Sequence, residues 1–361
     1  MPPLPPARLV RVVEGIRSAL QSLTRKMAPP PFALLELAQG AMVSQAIYAA
    51  AELRVAEALA DGPLPVARLA EKTETDAESL RRLLRLLATY GIFTERKDGR
   101  FALTPMARAL LPDAPMSMNG IALLMGHPTH WEDWAHFAEA VRTGEPSLPK
   151  LRGMGAFEYL EENPEYGGVF IRGMGSMSAT ETDPLLAAYD FSRFRTVVDF
   201  CGGRGDFLAG VLRKSPKARG VLSDPRVGEN GAAAFLEKEG VADRCTIADG
   251  GLFDPVPEGG DAYVLKHIVH DWPEPQAVEI LTNVRKAMNP GGRVLIMEMV
   301  LPDKRNAPHA GKLVDLWLML LVGGRERTEA LYGELLAQAG LKVERVVRTP
   351  AAISVVEASR I

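Results

Sequence analysis

Thr196-Val197-Val198-Asp199-Phe200 runs directly into Cys201-Gly202-Gly203-Arg204-Gly205, and a helical stretch opens at about Asp206. β-Branched and aromatic residues followed by a glycine cluster read as a buried strand that ends in a turn. Glycines in such a turn let the backbone come close to a ligand at the carboxyl end of the strand, the ligand crevice of an open parallel sheet. The next strand candidate ends in Asp224, nineteen residues after Gly205. An acidic side chain at that point accepts hydrogen bonds from ribose hydroxyls. The spacing of Gly202, Gly203 and Gly205 departs from the dinucleotide fingerprint G-x-G-x-x-G, which argues against nicotinamide or flavin as the ligand.

Outward from this turn the chain alternates strand and helix patterns. Strand candidates are residues 196–201, 220–223, 244–247, 262–267, 293–300, 342–348 and 352–358. The alternation predicts an α/β fold with a mainly parallel, seven-stranded sheet covered by helices on both faces. Thr349-Pro350-Ala351 is too short a link for a helical crossover, so the last two strands should pair antiparallel.

Polar groups gather at the end of the fourth strand candidate, in Leu265-Lys266-His267-Ile268-Val269-His270-Asp271-Trp272, before a helix opened by Pro273. A doubly wound sheet presents functional residues at that edge, and a neutral imidazole there can remove a phenolic or alcoholic proton. Alone, the octet reads more readily as a structural His-Asp-Trp corner. Two carboxylates strengthen the chemical reading. Glu298 ends the strand after the Asn289-Pro290-Gly291-Gly292 turn, and Glu326 lies in Gly323-Gly324-Arg325-Glu326-Arg327-Thr328. Either can orient an imidazole and stabilise the imidazolium, as the acid of a hydrolase triad does. For Glu326 an ion pair with Arg325 or Arg327 is the competing assignment.

The amino-terminal half reads differently. Helical patterns at residues 33–59, 66–70 and 77–90 precede a polar hairpin at 92–103 whose turn is Asp98-Gly99. Helix, helix, hairpin is a winged-helix arrangement. Arg81, Arg82 and Arg85 would make its second helix a DNA reader, but Asp76 and Glu78 at the start of that helix oppose phosphate approach, so dimerisation is the favoured role. Residues 113–190 form a second helical stretch rich in Met, His, Trp and Phe. His127 and His130 stand either side of Pro128 without a carboxylate or thiol to complete a ligand set, so no metal is expected there. At the start, proline clusters at 2–6 and 29–31 bracket a basic amphipathic stretch, residues 8–26, with Leu9, Val12, Val13, Ile16, Leu20 and Leu23 on one stripe. A loosely docked or dimer-swapped helix, or sequence upstream of a start at Met27, is favoured there over a membrane-surface arm or a targeting peptide.

Bulk properties bound the function. Among 361 residues 47% are hydrophobic and 24% charged, the balance of a globular chain, and a net charge of −3 lacks the basic excess of a nucleic-acid binder. Two cysteines are too few for a disulfide framework or a four-thiolate zinc site, which fits a cytoplasmic protein. No apolar run approaches the roughly 18 to 20 residues of a membrane span.

At these residues the chain resembles the plant-type and bacterial small-molecule O-methyltransferases, the caffeate, hydroxyneurosporene and polyketide-tailoring group. The resemblance runs from about Ala33 to Ile361 and rests on Val198 to Gly205, Lys266 to Trp272, Pro290-Gly291-Gly292 and Gly323 to Thr328. It implies a class I methyltransferase domain with a Rossmann-like sheet, residues 191–361, behind a winged-helix-like dimerisation domain, residues 33–112. Residues 1–32 would form an arm and 113–190 a helical linker that helps build the acceptor pocket. It further implies a homodimer and S-adenosyl-L-methionine held by Asp199, Gly202, Gly203, Gly205, Asp224 and Lys266, with Asp249 or Gly251 at the adenine. His270 would be the base, flanked by Glu298 and Glu326, with Asp271 placing a small hydroxylated acceptor. Trp317 and Leu321 stand where plant members have pocket residues, so an apolar acceptor is expected, with Met125 and Met174 among its contacts. Cys201 replaces a usual glycine and is expected to face the methionine part of the cofactor. Two rivals stand beside this reading: the same fold acting by proximity alone or as a decarboxylase or hydroxylase, and a non-catalytic DNA-binding metabolite sensor.

Overall fold

A computed structural model of the chain describes residues 7–228 and 230–361. The proline cluster at 2–6 lies outside the described residues. The chain divides into two compact units, one with Ile16–Ala138 and Pro149–Thr180, the other with Glu139–Leu148, Glu181–Ile361 and the first part of the N-terminal helix up to Gly15.

In the helical unit, Pro30–Glu52 is followed by a separate short helix, Val55–Ala58. The single helix expected over 33–59 is broken because Arg54 adopts φ +53, a left-handed conformation that resets the chain and buries Val55, Ala56 and Leu59. Helices Val66–Thr73 and Ala77–Thr89 follow, the second capped by Asp76, whose Oδ1 accepts the Ser79 N–H at 2.8 Å. A three-stranded antiparallel sheet is formed by β1 (Leu64–Pro65), β2 (Phe93–Glu95) and β3 (Arg100–Leu103), in the order β1-β3-β2. β1 was beyond sequence reading, because two residues including a proline carry no period. Leu69, Leu84, Leu87, Phe93 and Phe101 close this unit's core. Arg81 and Arg85 each lie 3.8 Å from Glu95, so two of the three helix arginines that would meet DNA share one carboxylate. The basic stretch at the start is a helix, Ala7–Met27, whose six apolar stripe residues are all more than half exposed. Among the described residues no helix is long and apolar enough to cross a membrane.

The other unit is built on β4 (Thr196–Phe200), β5 (Arg219–Ser223), β6 (Cys245–Ala248), β7 (Gly260–Lys266), β8 (Met288–Glu298), β9 (Leu341–Arg348) and β10 (Ser354–Arg360). Their order is β6-β5-β4-β7-β8-β10-β9, with β4 to β8 parallel and β10 antiparallel to both neighbours. Alternate residues feed two cores, one on each face: Val197, Val264 and Leu295 on one, Val198, Leu265 and Ile296 on the other. That alternation is the two-sided burial of a parallel sheet. The strand order reverses between β4 and β7, which opens the carboxyl edge there to a ligand. β4 ends at Phe200, one residue short of expectation, because Cys201 turns to φ +56.

Candidate active site

The turn after β4 is shaped around two aspartates. Gly203 and Gly205 have φ +60 and +85, the left-handed region that favours glycine. Gly202 is required for space: a Cβ there would lie 2.5 Å from Asp199 Oδ2 and 2.8 Å from Leu222 Cδ1. The Gly203 N–H donates to Asp224 Oδ2 at 2.9 Å and the Arg226 N–H to Oδ1 at 3.0 Å, so one carboxylate ties the turn to the end of β5. Asp199 is buried and its Oδ2 has no hydrogen-bond partner. Burial pushes its carboxyl up to about 7, opposed by the Lys266 ammonium and reinforced by Asp224. The Cys201 thiol packs against the core cluster containing Val198 and Phe200, and burial, then Asp224 and Asp199, push it up to about 12. It is a neutral packing group at physiological pH.

Beyond β6, the Gly251 N–H donates to Asp254 Oδ2 at 2.8 Å, while Asp249 is exposed. Phe253 and Trp272 meet edge to face, centroids 4.9 Å apart. Asp254 was not singled out from sequence, where the resemblance pointed to Asp249 or Gly251.

At the end of β7 the chain turns through a short 3-10 segment, Val269–Asp271. Glu298, at the tip of β8, accepts the N–H groups of Ile268 at 3.2 Å and His270 at 3.0 Å, and the Tyr332 hydroxyl donates to its other oxygen. Glu298 thus fixes the backbone that carries the histidine. Glu326 holds the ring, with its Oε1 2.8 Å from His270 Nδ1. The Glu326 N–H donates to Asp315 Oδ1 at 2.8 Å and the Arg325 N–H to the His270 carbonyl at 2.8 Å. Gly324 has no room for a side chain, since a Cβ would collide with that carbonyl. The alternative ion pair for Glu326 is not formed: Arg325 reaches Glu274, and buried Arg327 donates to the Val269 carbonyl at 3.3 Å. Asp271 Oδ1 stands 3.5 Å from His270 Nε2.

Burial alone would lower the imidazole's pKa. Glu298, Asp271 and Glu326 outweigh it and raise His270 to about 10, so the ring is an imidazolium at neutral pH. Burial raises Glu326 to about 7 against the pull of His270, and raises Asp271 to about 6. Donor atoms of His270, Glu298 and Glu326 lie within 4.8 Å of one another, as a metal set would. Both oxygens of Glu298 already accept protein hydrogen bonds and Glu326 faces the imidazole, so the arrangement is that of a clamped histidine.

Sequence reading missed Glu181 and Tyr332, and gave Arg327 only as a partner of Glu326. Glu181, on helix Pro164–Ala188, is 3% exposed and its Oε2 lies 2.9 Å from Lys266 Nζ and 2.8 Å from His267 Nε2. Burial would raise its carboxyl, but His267 and Lys266 bring it down to about 2. Tyr332 and Arg327 complete the buried shell. Each looked like an ordinary helix or loop residue, and only the fold brings it to the sheet edge. Trp317 and Leu321 are half-buried on helix Gly311–Leu321, which also supplies Asp315. Met125 and Met174 belong to helices of the other unit, half-buried in both cases. There too, His127 caps helix Pro128–Ala135 by accepting the Thr129 N–H, and His130 Nε2 accepts from Trp134 Nε1 at 3.0 Å.

A parallel sheet with an antiparallel final hairpin, a glycine turn after its first strand and an acid at the end of its second defines a class I methyltransferase, the class whose methyl donor is S-adenosylmethionine. The chain belongs to the O-methyltransferase family: residues 134–342 match the model of the O-methyltransferase domain and residues 35–113 that of the O-methyltransferase dimerisation domain. It is 39% identical to the phenazine O-methyltransferase of Lysobacter antibioticus, over 90% of this chain and 95% of that protein. It is 41% identical to the mitomycin biosynthesis 6-O-methyltransferase of Streptomyces lavendulae, over 86% of this chain and 88% of that one. A methyltransferase of calicheamicin biosynthesis, solved in its SAH-bound form, superposes with a TM-score of 0.81 at 37% identity, covering 92% of this chain and 98% of that chain. The protein is an O-methyltransferase of secondary metabolism.

Proposed function

We propose that this enzyme methylates a hydroxyl oxygen of a small, largely apolar aromatic or polyketide-like acceptor, with His270 as general base. The buried pair of His270 and Glu326, 2.8 Å apart through Nδ1, carries the reading. It leaves Nε2 as the nitrogen for an acceptor proton, and it keeps a carboxylate beside the imidazolium that results.

The glycine turn suits the donor. It offers a cradle that a side chain at Gly202 would fill, an unpartnered buried oxygen on Asp199, and Asp224 at the end of β5. Asp199, Gly202, Gly203, Gly205, Asp224 and Lys266 would hold S-adenosylmethionine, with Asp249, Gly251 or Asp254 beside its base. The bound donor supplies a methyl carbon made electrophilic by a sulfonium sulfur. Asp271, Trp317 and Leu321 would orient the acceptor. Holding two reactants at attack distance contributes roughly 7 to 11 kcal/mol of barrier reduction, and a positioned base roughly 10² to 10⁴ in rate, so positioning is the larger effect. Because the resting imidazole carries a proton, turnover on an un-ionised phenol should climb with pH. The phenazine and mitomycin named in its relatives are compact ring systems, in keeping with such an acceptor. The dimerisation-domain match supports a homodimer, and two free thiols suit a cytoplasmic enzyme.

The test is His270→Ala, with calorimetric titration of S-adenosylmethionine beside turnover on a panel of phenols, quinones and polyketides. Turnover should fall about 10² to 10⁴-fold while donor affinity stays within a few-fold. Full activity in the variant would refute base catalysis by His270. Products lacking the added methyl mass would favour the decarboxylase or hydroxylase reading.

A further inference from the structure

The mechanism above uses one histidine of the octet, yet the structure sets two side by side. The rings of His267 and His270 lie 5.2 Å apart between centroids, with their planes 31° apart. Each is held by its own buried glutamate at 2.8 Å: His270 through Nδ1 by Glu326, His267 through Nε2 by Glu181. Glu181 is fixed in turn by Lys266, 2.9 Å from the same oxygen. The backbone at His267 has φ +55, and its N–H donates to the Met297 carbonyl at 3.1 Å, so a non-glycine residue is kept in the left-handed region where β7 ends. Conformations of this kind persist only where their surroundings enforce them, and they gather at functional sites. His270 is 5% exposed, His267 is 25% exposed, and among the described residues Nδ1 of His267 has no hydrogen-bond partner.

We infer that His267, anchored by Glu181, is a specificity-determining residue that accepts a hydrogen bond from a second hydroxyl of the acceptor, on the ring carbon next to the one whose oxygen is methylated. This rests on the reading of His270 as the group that meets the first hydroxyl. With Nε2–H directed at a carboxylate, Nδ1 of His267 presents a lone pair, which takes an O–H and offers nothing to an acceptor lacking one. Burial lowers the pKa of His267, which keeps the ring in that neutral form. Two adjacent imidazoles match two adjacent hydroxyls. A site built to bond a substrate hydroxyl discriminates strongly against the analogue without it, because its own polar group is then left unpaired.

The test compares 2,3-dihydroxynaphthalene with 2-naphthol in the wild-type enzyme, in His267→Asn and in Glu181→Gln. Asparagine tolerates the left-handed backbone but is too short to bridge Glu181 and a ligand. Far-ultraviolet circular dichroism reports whether each variant is folded. The wild type should prefer the diol by about tenfold to a hundredfold in kcat/KM, the effect of one polar group left unpaired. Either variant should cut the diol rate at least about tenfold more than the naphthol rate. A wild type with no preference for the diol, or a preference that survives both substitutions, overturns the inference and leaves the proposed function standing. If a donor-binding wild type methylates neither arene, both readings fall.

Discussion

Replacing Glu326 by Gln isolates the charge in the imidazole clamp. The amide oxygen can still accept from His270 Nδ1, so the ring keeps its orientation and only the negative charge beside it is removed. The contact is 2.8 Å between two groups that are almost wholly buried. A hydrogen bond to a charged partner in such a place is worth about 1.5 to 3 kcal/mol, which at 1.36 kcal/mol per pH unit lowers the imidazole's pKa by about one to two pH units. Glu298 and Asp271 remain, so the ring, now at about 10, should still titrate above the ordinary imidazole range. The assay is kcat/KM on a neutral phenolic acceptor between pH 6 and pH 10. The wild type should show activity climbing through the whole range. Glu326→Gln should reach its plateau about one to two pH units earlier, and at a lower level, since a weaker base has less driving force. An acidic limb that stays where it was would refute the coupling of Glu326 to the catalytic imidazole. Stability follows the same titration. With the folded value of His270 raised from 6.5 to about 10, its stabilising contribution is complete below pH 6.5 and lost as pH rises through about 10. Glu326 runs the same way: raised from 4.5 to about 7, it too lowers stability progressively as pH climbs through that interval.

Two further substitutions probe the scaffold. Gly202→Ala places a Cβ 2.5 Å from Asp199 Oδ2, and overpacking of this kind costs about 1 to 3 kcal/mol. Calorimetry should show donor binding weakened or lost, while far-ultraviolet circular dichroism keeps the native signal. Tyr332→Phe strips the hydroxyl that donates to Glu298 and leaves a buried carboxylate oxygen unpaired, for about 1 to 3 kcal/mol by urea unfolding. Its kcat should fall more than its donor affinity, because Glu298 carries the backbone of His270.

The sheet was legible because its central strands, β4, β7 and β8, are buried on both faces and read as apolar runs, and the antiparallel edge followed from a link too short to cross over. Asp224 and Glu298 could be placed for the same reason: each ends a strand, and strand ends of a parallel sheet share one edge. The division of labour between Glu298 and Glu326 was not legible. Which carboxylate meets the ring and which meets the backbone depends on a loop, Gly324 to Arg327, whose path is set by the His270 carbonyl and by Asp315. Glu181 was invisible for a related reason. It comes from the helical stretch between the two domains, where one glutamate among several carries no mark of its own, and its partners Lys266 and His267 are supplied by the distant end of β7. The break at Arg54 escaped because alanine-rich sequence on both sides continues the helical pattern without a glycine or proline to interrupt it.

Tracing the methyl carbon tests the central claim most directly. With S-adenosylmethionine carrying a ¹³C-labelled methyl group and a hydroxylated arene as acceptor, the product spectrum should show the label as an aryl methyl ether, formed in step with S-adenosylhomocysteine and nearly absent with His270→Ala. A labelled methyl bound to carbon or nitrogen, or an altered acceptor without the label, would contradict it.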